Sequence, residues 1–168
     1  ELNKSILDLA LKAGLCDEWA EKMPTLDKKG LIQMYLDGID FSLGTGFLPN
    51  DKLKEYGGDL LNDFGIYIDQ EFKSTNPTKL VMLGDCKSNV SISDFNVAQL
   101  FVKDNGNALI DVSDDSFVII DCFDNSCLDI LSKGRSRVLV NVYGKAKVIN
   151  SSLDNSTITV VNKFKDNY

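Results

Sequence analysis

The chain has 168 residues, 43% hydrophobic and 26% charged, which is enough for one good core or two small ones without disulfides. Its formal net charge is −7, from 25 acidic and 18 basic residues, and neither half contains the dense basic stripe that phosphate contacts require. No apolar run reaches the roughly 20 residues that span a bilayer. These features argue against nucleic acid and membrane as direct partners.

The N-terminal part of the chain, over 1–73, is predicted to form a helical region. Helical apolar spacing or capping residues mark four segments, which are 5–13, 17–23, 25–37 and 50–64. Gly14 is expected to end the first helix, while Asp17 and Thr25 are expected to cap the second and third. The pair Gly57-Gly58 argues against an unbroken fourth helix.

A boundary follows the helical region. A short strand is predicted over 65–69, and Ser74-Thr75-Asn76-Pro77-Thr78 is the clearest break in the pattern. A ten-residue rhythm begins faintly at Leu80 and becomes regular from Ala98. We therefore predict a helical region over 1–73 and a repetitive β region over 80–168.

The β region keeps one parity apolar over a long stretch. Between Ala98 and Val142, fourteen of the fifteen positions ending in 8, 0 and 2 are apolar, while polar residues occupy many sites between them. Turn-forming residues recur at equivalent places, as in Asp104-Asn105-Gly106, Asp114-Asp115-Ser116, Asp124-Asn125-Ser126 and Gly134-Arg135-Ser136. The pattern predicts strands of about six residues joined by turns of about four.

Two architectures fit this repeat. In a solenoid with two units per coil, residue i lies on residue i+20, so Leu100, Ile120 and Val140 would stack. An antiparallel β meander is the alternative, and Asp104-Asn105-Gly106 is typical of its hairpins. A meander has no reason to keep every hairpin at one length, whereas successive coils must superpose. The predicted fold class is therefore α+β, with a helical region followed by a β-solenoid-like repeat.

Catalytic and metal-binding residues are sparse. The chain has no histidine, which excludes Ser-His-Asp and Cys-His arrangements, and it contains no phosphate loop. The four cysteines form no Cys-x-x-Cys pair, and the recurring turn aspartates lack the spacing of a calcium ladder. We expect no enzymatic activity, no metal and no cofactor, and we expect the aspartates to serve the turns.

The cysteines also bear on the compartment. Cys122 lies on the inward parity, where a reduced cysteine behaves as a small apolar residue. A reducing, cytoplasmic location is expected. Because the chain begins with Glu1 rather than Met, removal of a targeting segment is an open alternative.

The outward parity suggests candidate binding residues. In a solenoid with two units per coil, Phe123 and Tyr143 would stack, and with Phe101 they would form an aromatic platform with Asp121 as a polar contact. Asp111 and Asp129 are further candidates for that polar role. The competing interpretation is that this face packs against the helices.

Four segments of the chain carry a resemblance. They are Leu36-Asp37-Gly38-Ile39-Asp40-Phe41, Phe47-Leu48-Pro49-Asn50, Phe64-Gly65-Ile66-Tyr67-Ile68-Asp69 and Val118-Ile119-Ile120-Asp121-Cys122-Phe123-Asp124-Asn125-Ser126. With them, the chain from about Leu7 to its tail resembles a group of small uncharacterised proteins of Bacteroidales gut bacteria and their phages or prophages. The resemblance implies the same two-part layout and no particular activity.

The sequence thus favours a non-enzymatic interaction or structural protein that uses a rigid β scaffold to bind a protein partner, and the resemblance implies a phage derivation. The alternative is a carbohydrate-binding or carbohydrate-cleaving β-solenoid that uses the aromatic platform. Self-association is a third expectation, because an end coil has unpaired backbone groups.

Overall fold

A computed structural model describes residues 2–168. The described chain forms two compact units, one of residues 2–64 together with Tyr168 and the other of residues 65–167. The second unit begins ahead of the predicted boundary at 74–78, because two short strands within 65–75 already belong to it. Asn76, in the predicted break, has a positive φ of 50° and forms a turn inside this unit.

The first unit is helical. Its helices are α1 (Leu2–Lys12), α2 (Asp17–Lys22), α3 (Lys28–Asp37), α4 (Ile39–Thr45), α5 (Asn50–Gly57) and α6 (Leu60–Asp63), with a 3-10 turn at Met23–Thr25. The predicted fourth helix is divided at Gly58, whose φ of 54° ends α5. Helix α4 was not predicted, because Gly38, the single residue between α3 and α4, is typical of a helix end.

Two predicted caps differ from the observed ones. Asp27, not Thr25, caps α3, because its Oδ1 accepts a hydrogen bond of 2.8 Å from the Gly30 backbone N–H. Thr25 instead donates to the Lys22 carbonyl oxygen at the end of the 3-10 turn. Asp17 is the first helical residue of α2, and Cys16 occupies the capping position without a side-chain bond.

The second unit is a β-solenoid of about five turns. Its strands are β1 (Ile66–Ile68), β2 (Glu71–Thr75), β3 (Lys79–Leu83), β4 (Lys87–Ile92), β5 (Val97–Val102), β6 (Asn107–Val112), β7 (Phe117–Cys122), β8 (Cys127–Ser132), β9 (Arg137–Val142), β10 (Lys147–Ser152) and β11 (Thr157–Asn162). The odd-numbered strands form a six-stranded sheet and the even-numbered strands a five-stranded sheet. All the paired strands are parallel, so the solenoid is confirmed over the antiparallel meander.

The predicted register is also confirmed. Leu100 pairs with Ile120 and Ile120 with Val140, so each inward-facing side chain stacks on its equivalent in the neighbouring coil. These residues belong to a continuous apolar core between the two sheets, and Ile120 and Val140 are completely buried. Burial of one parity in every coil fixes the register, because a shift of one residue would turn the apolar set outward.

The turns repeat with the strands. The second residue of successive turns has a left-handed backbone, at Asp94, Asp104, Asp114, Asp124 and Asp154, while Gly84, Gly134 and Gly144 take that place in other turns. Each carboxylate of Asp104, Asp114, Asp124 and Asp154 accepts a bond from the backbone N–H of the equivalent turn residue in the preceding coil, over 2.7–3.1 Å. The expectation that the aspartates serve the turns is confirmed.

In four turns the fourth residue is a serine, whose hydroxyl closes the turn internally. The buried hydroxyls of Ser116 and Ser126 each donate to the carbonyl oxygen three residues earlier, at 2.7 Å in both cases. Ser136 makes the same bond and also lies 3.2 Å from the Val112 carbonyl oxygen of the preceding coil. These bonds satisfy polar groups that would otherwise be buried without partners.

Candidate functional site

The structure brings together the four residues predicted for the platform. Phe101 and Asp121 are neighbours across β5 and β7 on the outward side of the six-stranded sheet. Phe123 and Tyr143 follow β7 and β9 directly, and their rings stack with centroids 4.7 Å apart and an interplanar angle of 16°. Asp111 and Asp129 do not join this group, because β6 and β8 belong to the other sheet.

Ring stacking along the solenoid axis leaves the aromatic faces occupied. Tyr143 lies against Phe123 from the following coil, and the Lys103 ammonium of the preceding coil is 5.7 Å from the centroid of Phe123. The Lys79 ammonium is likewise 5.8 Å from the centroid of Phe101. Phe123 is completely buried. A sugar ring stacks on an open aromatic face, and Phe101, Phe123 and Tyr143 are all buried.

Asp121 is the charged residue among these four. It is 9% exposed, and its Oδ1 accepts a hydrogen bond of 2.7 Å from the side-chain amide of Asn141 in the next coil. Burial, followed by the charge of Asp121, raises the pKa of Tyr143 and raises the pKa of Cys122 to about 12. Both groups therefore stay protonated at neutral pH, and the arrangement provides no activated nucleophile.

The outward side of the five-stranded sheet is open by comparison. A depression of about 480 Å³ crosses strands β2 to β10 on this side. One column of paired residues in it contains Lys73, Asn89, Leu109, Asp129 and Ile149. Leu109 and Ile149 are 55% and 69% exposed, and the exposed Cys127 lies beside them in the lining. We call this surface the five-strand face.

The five-strand face is difficult to recognise in the sequence for two reasons. Leu109 is an outward apolar residue, but the large aromatic residues at outward positions lie on the other sheet. Those aromatic residues are the ones whose pattern suggests a binding platform. Ile149 lies beyond Val142, where the inward pattern weakens because Asn150 and Ser152 replace apolar residues. The ten-residue count alone would have placed Ile149 next to Asp129 in the column, as the structure does.

The cysteines divide into two classes, which a labelling experiment can test. Cys16 and Cys127 are exposed, whereas Cys86 and Cys122 are buried and burial raises the pKa of both. Because the thiolate is the reactive form, we expect two of the four thiols to react rapidly with a maleimide and the other two only after unfolding. The Cys16→Ser and Cys127→Ser variants should each contain one fewer rapidly reacting thiol. Rapid reaction of a third thiol in the native protein would contradict this assignment.

Neither a metal site nor a membrane span is found in the part of the chain that the structure describes. Within residues 2–168, no three His, Cys, Asp or Glu side chains are grouped so as to hold a metal ion. Of the helices in the described part of the chain, none combines the length and the apolar character needed to cross a bilayer. Comparison of the chain with known protein families, with curated proteins and with solved structures finds no match.

Proposed function

We propose that the protein is a non-enzymatic interaction protein that binds a protein partner on the five-strand face. The observation that carries the proposal is the exposure of Leu109 and Ile149 in one column of a parallel sheet. Exposed apolar side chains grouped on a surface mark interaction sites more often than isolated ones do. The solenoid supplies a rigid support for such a surface, since each coil is held by ladders to its neighbours.

The chemistry of the face suits a protein more than a small polar ligand. Its apolar residues lie toward β6–β10, at Leu109, Cys127 and Ile149. Its charged residues are Glu71, Lys73 and Lys87 on β2 and β4, and Asp129 on β8, which lies between Leu109 and Ile149 in the column. Apolar residues together with charges of both signs have the mixed composition of a non-obligate protein interface. The charges of both signs would set the orientation of the partner.

The carbohydrate alternative has weaker support. It requires the faces of Phe101, Phe123 and Tyr143, and the first two rings are already approached by lysines of the preceding coil. Saturable binding of a glycan by the wild type, lost in Phe123→Ala but kept in Leu109→Arg, would favour carbohydrate over protein.

Cys127 provides a native attachment point for testing the proposal. In a Cys16→Ser variant, Cys127 is the exposed thiol that remains among the four cysteines. Labelling it with a benzophenone maleimide and irradiating in a lysate of the native host should attach one specific protein, which mass spectrometry identifies. The purified partner should then bind the unlabelled wild type, and Leu109→Arg with Ile149→Arg should weaken that binding at least about tenfold.

A matched control separates the face from exposed apolar residues in general. Val97 is 59% exposed on the six-stranded sheet, so Val97→Arg introduces the same side chain elsewhere on the solenoid. It should leave binding unchanged. The proposal is wrong if no specific adduct forms at Cys127, or if Val97→Arg weakens binding as much as the changes on the five-strand face do.

A further inference from the structure

The helical unit contains a second candidate site, which the sequence did not indicate. A cavity of about 340 Å³ is lined by residues drawn from α1 to α5, and it remains open although the unit has its own buried core. Its size lies within the range of pockets that bind small molecules or large side chains.

Aromatic rings make up much of its wall. The ring centroids of Phe41 and Phe47 lie 5.5 Å apart, and that of Tyr35 is 6.4 Å from that of Phe47. Trp19 also lines the cavity, with its ring packed against Gly38, where an added Cβ would lie 3.0 Å from Trp19 Cζ3. Such a wall attracts apolar groups by burial and cations through the negative faces of the rings.

The charge of the lining has one sign. Asp37 and Asp40 are its charged residues, both are exposed, and no lysine or arginine is among the described residues that line the cavity. The hydrogen bonds they accept come from neutral groups, namely the Gln33 side-chain amide and the Phe41 backbone N–H, both at 2.8 Å. The other residues of this unit add to this field, since residues 2–64 contain 11 acidic residues against 7 lysines.

From this complementarity we propose that the cavity binds a basic amphipathic segment of a partner protein. A large apolar side chain of that segment would enter among the aromatic rings, and neighbouring Lys or Arg side chains would pair with Asp37 and Asp40. The segment differs from the partner surface expected for the five-strand face, and this inference does not depend on that proposal.

The protein contains its own reporter for this site. Trp19 is the single tryptophan of the chain and lies in the cavity wall, so its emission should change when the cavity fills. The probe is a synthetic helical peptide of about 18 residues with leucine on one face and lysine on the other. Titrated into the full chain, it should produce a saturable change in Trp19 emission that weakens as salt is added.

Two control peptides test the role of charge. With every lysine replaced by glutamine, the peptide should bind more weakly, and with every lysine replaced by glutamate it should not bind. Equal binding of the glutamate peptide, or the absence of a saturable change with the lysine peptide, would overturn the proposal.

Protein variants locate the binding. Asp37→Asn with Asp40→Asn should raise the Kd for the lysine peptide about three- to tenfold. Asp51→Asn with Asp63→Asn makes the same change in net charge at exposed sites outside the lining, and it should have no comparable effect. If both pairs weaken binding equally, attraction is general rather than local and the proposal fails.

A cavity-filling variant gives an independent readout. Ala10 is 1% exposed and lines the cavity, so Ala10→Leu should reduce peptide binding by occupying part of the space. If that variant does not fold, the two aspartate pairs still decide the question, because their side chains are exposed and their replacement leaves the core unchanged.

Discussion

Replacing Ile120 with alanine will lower the free energy of unfolding of the solenoid by about 3 kcal/mol. Ile120 is completely buried in β7 and lies between Leu100 of the preceding coil and Val140 of the next. Removing its outer carbons leaves a cavity that neither neighbour can fill, because each is held by its own strand ladder. Urea unfolding followed by the circular dichroism of the β-sheet measures the change.

The same substitution at Ile149 is the matched control. Ile149 has the same side chain but is 69% exposed, so Ile149→Ala should change stability by less than about 0.5 kcal/mol. Trp19 lies in the helical unit, so its fluorescence follows that unit separately from the sheet signal. Equal destabilisation at both isoleucines would mean that the inward parity does not form the core.

The sequence predicted the solenoid well because two independent regularities coincide in it. Alternation of polarity determines which side chains face inward, and the constant spacing of ten determines which residues stack, as with Leu100 on Ile120. Neither depends on distant contacts, since each coil needs only its neighbour. For this reason even the pairing of individual residues could be predicted from the sequence alone.

The first coil was only partly predicted because it does not keep the ten-residue repeat. Ile66 pairs with Val81, whereas Lys79 pairs with Gln99, so the first coil is shorter than the next one. Its second strand, β2, exposes Glu71 and Lys73 and contains little apolar signal. Because its connections are shorter, the first coil lacks the ten-residue period that identifies the later strands.

The candidate sites show a similar limit. The ten-residue repeat predicted that Phe123 and Tyr143 would stack. It could not show that this stacking and the Lys103 ammonium would occupy the faces of the rings. The cavity beside Trp19 was beyond the sequence for a different reason. It depends on the angles between five short helices, and local spacing does not encode those angles.

Replacing Asp124 with alanine will lower the free energy of unfolding by about 2 kcal/mol, through backbone and side chain together. The residue has a φ of 56°, a conformation that alanine adopts at a cost and aspartate tolerates better. Its Oδ2 also accepts a bond of 3.1 Å from the Asp104 backbone N–H and one of 2.8 Å from the Lys103 ammonium. Because the Asp124 side chain is 34% exposed, solvent weakens its pairing with Lys103.

Two further substitutions at Asp124 divide these contributions, measured by the same urea unfolding. Asp124→Asn keeps an acceptor for the Asp104 N–H and tolerates the positive φ, so it should cost about 0.5 kcal/mol. Asp124→Gly keeps the backbone conformation but removes the acceptor, so it should cost about 1 kcal/mol. The expected order of destabilisation is alanine, glycine, asparagine. An asparagine variant as unstable as the alanine variant would instead assign most of the effect to the charge facing Lys103, and the turn residues would then act between coils chiefly as ion pairs.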